Sequence, residues 1–232
     1  SLTDPENTQS LTSEVERHQR SHRFTEWVLT EPGEWRLKEA FDELKAALPV
    51  PLQIVHDDRF ICSHDEFQAF LKGRKQPRME HFYRKIRQST GILMEGGEPI
   101  GGQWNFDHDN RKALDQRATP NPPQWPLDSI TKVVIELVNT RFTDHFGVLD
   151  GPDFRWPVNR EQALLMLDHF ITERLPCFGD FQDAMLNENR FLYHAVISPY
   201  LNIGLLDPLE VCRAAEAEWQ AGHAPINAVE GF

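Results

Sequence analysis

The sequence predicts an α/β unit followed by an all-α unit, joined by a basic, glycine-rich connector. Three observations carry this reading. Two short β-prone runs, residues 24–30 (FTEWVLT) and 52–55 (LQIV), bracket one amphipathic segment at 33–48. A cation-rich stretch then leads into two Gly-Gly pairs, Gly96-Gly97 and Gly101-Gly102. From Leu127 onward, apolar residues recur at helical rather than alternating spacing.

Residues 11–21 are polar and helix-prone. Residues 24–30 alternate and are rich in aromatic and β-branched side chains, which suit a strand. Within 33–48, Trp35, Leu37, Phe41, Leu44 and Leu48 fall near helical spacing, and Pro49 and Pro51 stop the helix. Residues 52–55 make a second strand and 65–71 a short helix. Strand–helix–strand order implies a right-handed parallel crossover, yet two strands are too few for a stable doubly wound sheet. The expectation for residues 1–72 is therefore the back half of an α/β domain whose front half precedes Ser1; no initiator Met opens the chain.

Residues 73–126 form the connector. It has a helix over 77–90, a glycine turn stiffened by Pro99, and a run of amides and aromatics around Gln103, Trp104, Asn105, Phe106, Asp107 and Asn110. An exposed linker is expected at 115–126, with Pro120, Pro122, Pro123 and Pro126. Residues 127–232 are helical. Ile130, Val133, Val134, Leu137 and Val138 make one apolar stripe. Asn159 can cap a second helix whose face carries Ala163, Leu164, Leu167, Phe170 and Ile171. Asp207-Pro208-Leu209-Glu210 has a capping side chain, Pro at the first helical position and an acid at the third, and Gly222 suits the end of that helix. Val229 and Phe232 look like the opening apolar positions of another helix, so the chain is expected to continue beyond Phe232.

Hydrophobic residues at 40% and charged residues at 26% are enough to bury a core. No run approaches a membrane span and no basic-then-apolar leader opens the chain. Cys62, Cys177 and Cys212 are far apart in sequence and make no CxxC pair, so they read as reduced thiols of a cytoplasmic protein, with no metal site in this chain. The net charge of −12 argues against nucleic acid, but its distribution does not. Lys72, Arg74, Lys75, Arg78, Arg84, Lys85 and Arg87 face Glu80 alone between residues 72 and 90. Such a strip either grips an anion or is a solvated helix face.

Three further stretches have residues suited to chemistry. The glycines permit left-handed backbone and close approach, so 96–110 is either a loop packed on its own aromatics or a polar wall against a ligand or second domain. No Lys follows them as a phosphate loop requires. Asp180 and Asp183 would share a helix face beside Phe178 and Phe181, as an acid–base pair or as a brace for an Arg; no neighbour is suited to raise a carboxylate pKa. In 193–204 (YHAVISPYLNIG), Ser198 before Pro199 is either a plain helix cap or, with His194 nearby, an anion site.

Residues 79–114, with their basic helix, glycine turn and amide–aromatic run, resemble the deoxyribodipyrimidine photolyase-related family, the iron–sulfur bacterial photolyases and cryptochromes. TEPGEWR (30–36), DDRFICSHDEF (57–67), WPVNREQAL (156–164), LPCFGDFQDAM (175–185) and APINAVEGF (224–232) are similar to it as well. The likeness runs in order along nearly the whole chain. Ser198, Pro199, Tyr200, Leu201 and Gly204 match the flavin-phosphate segment of the wider superfamily, while His194, Ala195 and Val196 stand where Thr, Ser and Arg are usual.

The resemblance implies part of a doubly wound antenna domain (1–72), a connector (73–126) and the first helices of an FAD-binding helical domain (127–232). It implies FAD contacts at His194, Ile197, Ser198, Tyr200 and Leu201, joined by Phe181 and Asp183, and for a DNA-binding protein the basic strip offers contacts at Arg74, Lys75, Arg78, Arg84 and Arg87. A ribityl-lumazine antenna and a 4Fe-4S cluster are implied for the full-length protein, with cluster cysteines, the helices enclosing the flavin ring and most antenna contacts outside this chain. The implied reaction is light-driven electron transfer from reduced FAD to a pyrimidine dimer in damaged DNA, in particular the (6-4) photoproduct, flipped out to reach the cofactor. This chain alone would then be inactive. A cryptochrome-like photoreceptor and a flavin-free nucleic-acid-binding module are the alternatives. Neither a membrane nor an obligate protein partner is expected.

Overall fold

The computed structural model describes residues 4–114, 119–144, 146–149, 154–187 and 189–232. The chain divides into two compact units, residues 1–67 and 68–232.

In the first unit, helix α1 (Leu11–His22) starts at Ser10, whose hydroxyl accepts from the Ser13 amide, and ends at Arg23 in the left-handed region. Strand β1 (Trp27–Thr30) pairs in parallel with β2 (Leu52–Val55), Trp27 opposite Leu52 through Thr30 opposite Val55, and helix α2 (Trp35–Ala47) makes the crossover. β1 begins three residues later than the sequence suggests. Phe24 lies before it and stacks edge-on against Trp27 at 5.0 Å. Phe41, Leu44 and Leu52 are the buried centre, with Val15, Trp27, Leu29 and Ile54 against them. Trp35 does not join the α2 core face; as the first helical residue it is 71% exposed. The unit boundary falls inside helix α3 (His64–Leu71).

The second unit opens on helix α4 (Met79–Thr90), which starts two residues after Pro77 because Arg78 is still extended, and which stops at Gly91 with φ 75°. A two-residue turn follows. Gly96 and Gly97, both at positive φ, join β3 (Met94–Glu95) to β4 (Glu98–Pro99), the backbone that a tight antiparallel hairpin requires. Of the four glycines only Gly101 meets a close neighbour: a Cβ there would lie 2.8 Å from the Phe106 ring and 3.2 Å from Ile226.

The remaining elements are helices α5 (Ser129–Arg141), α6 (Arg160–His169), a π-helical turn (Phe170–Arg174), α7 (Leu175–Phe181), α8 (Ser198–Asn202), α9 (Pro208–Gln220) and α10 (Ile226–Gly231). Asp128, Asn159 and Asp207 cap α5, α6 and α9 through their side chains. One core gathers Ala163, Met166, Leu167, Phe170, Leu175, Ile197, Tyr200, Leu206, Val211, Ala228 and Val229.

Three packing expectations are corrected. On α5, Ile130 (74% exposed), Val133 and Val134 face outward, and Thr131 and Ile135 are buried instead. On α6, Met166 takes the inward place expected of Leu164. The proline linker is not simply exposed: Pro122 is buried, and the Thr119 hydroxyl accepts from Asn189 Nδ2 at 2.6 Å. Residues 115–118 of that linker lie outside the described residues.

Connector and helices are laced together by side chains reaching across more than 100 residues. Leu93 N–H donates to Glu216, Phe106 N–H and the Tyr83 hydroxyl donate to the two oxygens of Glu230, and Asn110 exchanges bonds with Asn227. The amides and aromatics of 103–110 thus pack against helices of their own unit.

Candidate functional site

Segment 192–204 lies between α7 and α9. Leu192 (φ 43°) and Val196 (φ 57°) both adopt left-handed backbone, which costs a non-glycine residue free energy and is most unusual for a β-branched one. Helix α8 follows. Its cap is Ile197, whose carbonyl accepts from the Tyr200 and Leu201 amides. Ser198 is therefore not the cap that the sequence suggests. It is the first helical residue, its hydroxyl makes no capping bond, and it is exposed. The backbone of Ile197 already supplies the helix with its first acceptor, so the Ser198 hydroxyl remains available to a ligand.

The other expected cofactor residues divide by depth. Ile197, Tyr200 and Phe181 are buried, and Phe181 stacks on Tyr193 at 5.5 Å. The Tyr200 hydroxyl is buried with no hydrogen-bond partner, and burial pushes its pKa up to about 12. Leu201 is half-buried, and His194 and Asp183 are exposed. α7 ends at Phe181, so Asp180 and Asp183 do not share a helical face. Asp180 instead pairs with Lys112 at 2.9 Å.

Arg174 is the residue that sequence reasoning missed. It is 1% exposed at the end of the π-helical turn. Its guanidinium donates to the His194 carbonyl at 2.7 Å and the Pro120 carbonyl at 2.5 Å, while Nε is unpartnered. The signal was present: Arg174 continues the stripe of Ala163, Leu167, Phe170 and Ile171. His169, one turn earlier, has a buried, unpartnered Nε2, and burial, then the Arg174 charge, lowers its pKa.

The basic strip divides as well. Arg74, Lys75 and Arg78 are exposed; the Arg74 guanidinium lies over the Phe70 ring, and Lys75 and Arg78 make no ion pair among the described residues. Arg84 is paired with Glu80 at 2.6 Å and lies over Trp104. Arg87 does not belong to the surface strip at all. It is 4% exposed and donates to the carbonyls of Ile92, Leu93 and Trp104 and to the Tyr83 hydroxyl. A buried guanidinium that spends four of its five N–H donors inside the fold is not a surface contact for a phosphate.

In the first unit, a cavity of about 350 Å³ opens at the C-terminal ends of β1 and β2, lined by Glu31, Lys38, His56 and His64 among others. Ligands of open α/β sheets bind at that end of the strands. The Glu31 carboxylate accepts from His64 at 2.9 Å, a bond that holds its pKa below the usual range, and Lys38 lies 3.6 Å away. Among the described residues no group of His, Cys, Asp and Glu can hold a metal ion, and none of their helices is long and apolar enough to cross a membrane.

Comparison with known proteins gives two results. The family described as deoxyribodipyrimidine photo-lyase-related protein matches residues 1–156. A relative called (6-4) photolyase, from Agrobacterium fabrum (strain C58 / ATCC 33970), is 44% identical over 232 residues, which is 100% of this chain and 45% of the relative. The chain thus spans less than half the length of that protein.

Proposed function

The chain belongs to the deoxyribodipyrimidine photo-lyase-related family, and from that premise we propose that the full-length protein repairs (6-4) photoproducts in DNA, using light and a bound FAD. The observation that carries this reading is the identity of 44%, sustained across every residue of the chain, to a protein named for that activity.

The residues present fit a flavin dinucleotide. Segment 194–201 offers an exposed Ser198 hydroxyl at a helix start, and the buried guanidinium of Arg174 donates to the carbonyl of His194, where the segment begins. Both suit an anionic diphosphate. Ile197, Leu201, Tyr200 and Phe181 supply the apolar wall beneath. When bound, FAD supplies the electron that breaks the lesion's bonds. What this chain does is hold the phosphate end of the cofactor and keep water from its apolar side. Arg74, Lys75 and Arg78 draw the DNA backbone to an otherwise acidic protein. The polar cavity of the first unit suits the hydroxylated chain of a ribityl-lumazine antenna. The 4Fe-4S cluster finds no ligand set among the described residues.

The test uses the full-length protein. Flavin absorbance in the purified protein, with light-dependent loss of (6-4) lesions from irradiated DNA, is the expected outcome. Flavin photochemistry that leaves lesions intact would replace repair with light sensing. Absence of flavin would leave only a nucleic-acid-binding module.

A further inference from the structure

Among the described residues the second unit buries two arginines, Arg87 and Arg174, and they are treated differently. Arg87 reaches a carboxylate through one intermediary: it donates to the Tyr83 hydroxyl, which donates to Glu230. Arg174 reaches none. Among the described residues its fork touches only the carbonyls of His194 and Pro120, and its Nε is unpartnered. A guanidinium stays charged in any protein, and an unpaired buried charge costs several kcal/mol of solvation. Two carbonyl dipoles offset only part of that.

The place where Arg174 attaches is specific. His194 lies midway between Leu192 and Val196, the two left-handed non-glycine residues of the segment, and four residues before Ser198. Strained backbone persists only where its surroundings over-determine it. Here the buried fork holds the midpoint, and the same guanidinium ties Pro120 down on its other side. It sits at a π-helical turn, a local widening that lets the side chain turn inward and that recurs at functional sites.

We propose that Arg174 is a positioning residue for the diphosphate of the flavin dinucleotide. It fixes the strained 192–198 backbone through the His194 carbonyl and places an unanswered positive charge behind the phosphate-facing side of that segment. This rests on the reading of 194–204 as the flavin-phosphate segment. An anionic diphosphate bound at 194–204 would answer that charge. The segment has Val196 where its superfamily has a surface arginine, and Arg174 supplies the cation from beneath.

The test compares FAD with riboflavin, which has the ring but no phosphate, as ligands for deflavinated full-length protein. Arg174→Met is expected to weaken FAD binding by about tenfold or more while riboflavin changes by less than about threefold, because only the phosphate senses the charge. Arg174→Lys keeps the charge and is expected to recover most of the preference for FAD. Equal weakening of both ligands, or no weakening of either, would overturn the proposal and leave Arg174 as a packing residue. If Arg174→Met does not fold, Arg174→Gln takes its place: a preference for FAD kept in the lysine variant and lost in the glutamine variant supports the proposal, and the same preference in both, or its loss in both, overturns it. Wild-type protein that binds FAD no better than riboflavin would remove the phosphate reading of 194–204 itself, and the proposal with it.

Discussion

The Tyr83 hydroxyl stands between Arg87 and Glu230, accepting from the guanidinium at 3.3 Å and donating to the carboxylate at 2.6 Å. It is the joint of a chain that runs from connector helix α4 to α10, and Glu230 extends it by accepting from the Phe106 amide. Tyr83→Phe keeps the ring and removes the joint. A hydrogen bond to a charged group is worth about 1.5–3 kcal/mol, so the variant should lose about 2 kcal/mol. Urea unfolding is the measurement; an unchanged midpoint would show that Glu230 holds the connector without Tyr83.

The same contact predicts an alkaline limit. Burial, then the bond to Glu230, raises the Tyr83 pKa above its ordinary value. Between the unfolded pKa of about 10 and the higher folded one, the native state keeps a proton that the unfolded state has lost. Stability is therefore full below about pH 10 and falls as pH rises beyond it. Tyr200, pushed up to about 12, adds to the fall. Unfolding curves from pH 8 to 11 should show the decline in wild type and a shallower one in Tyr83→Phe.

Local signals in the sequence were the most legible. Asn159 and Asp207 cap their helices as the sequence predicts, because a capping side chain acts within three residues of itself and the fold does not need to be known. Burial was less legible. Periodicity shows that α5 has an apolar stripe at Ile130, Val133 and Val134, but only packing reveals that Thr131 and Ile135 lie inward. Charge counting placed Arg87 with its exposed neighbours, whereas its guanidinium is drawn in by carbonyls supplied by residues 92, 93 and 104. At the candidate site, Tyr200 and Ser198 are proposed from pattern and resemblance. Arg174 was missed because a charged residue inside an apolar stripe is ordinarily taken as a break in it.

Gly179 should tolerate no side chain. A Cβ there would lie 2.7 Å from Ala228 Cα and 2.8 Å from Asn110 Oδ1, and Asn110 is itself completely buried and bonded to Asn227. The obstacle is backbone, so neither helix can yield without separating. Gly179→Ala should gain up to about 1 kcal/mol in helix propensity and lose about 2–3 kcal/mol to overpacking against backbone, the upper part of the usual range. The net effect is a lower melting temperature. Gly33→Ala, which meets nothing within 4 Å and has no left-handed φ, is the control and should leave stability nearly unchanged.

The basic strip separates by burial into residues that should and should not read salt. Lys75 and Arg78 are exposed and unpaired among the described residues, and Arg74 is exposed against Phe70. Each phosphate neutralised releases counterions and adds about 0.9 to the slope of log affinity against log salt. Replacing all three with Ala in the full-length protein should lower DNA affinity at low salt and flatten that slope by about 2–3. Arg84→Ala should change the slope by less than 1, because Glu80 already holds that charge at 2.6 Å. Arg87→Ala should leave the slope of the folded fraction unchanged and instead destabilise the protein by about 3 kcal/mol or more, since it strips three carbonyls of their donor. A slope that responds to Arg84 as strongly as to Lys75 would mean that DNA displaces Glu80, and would extend the interface along α4 toward Trp104.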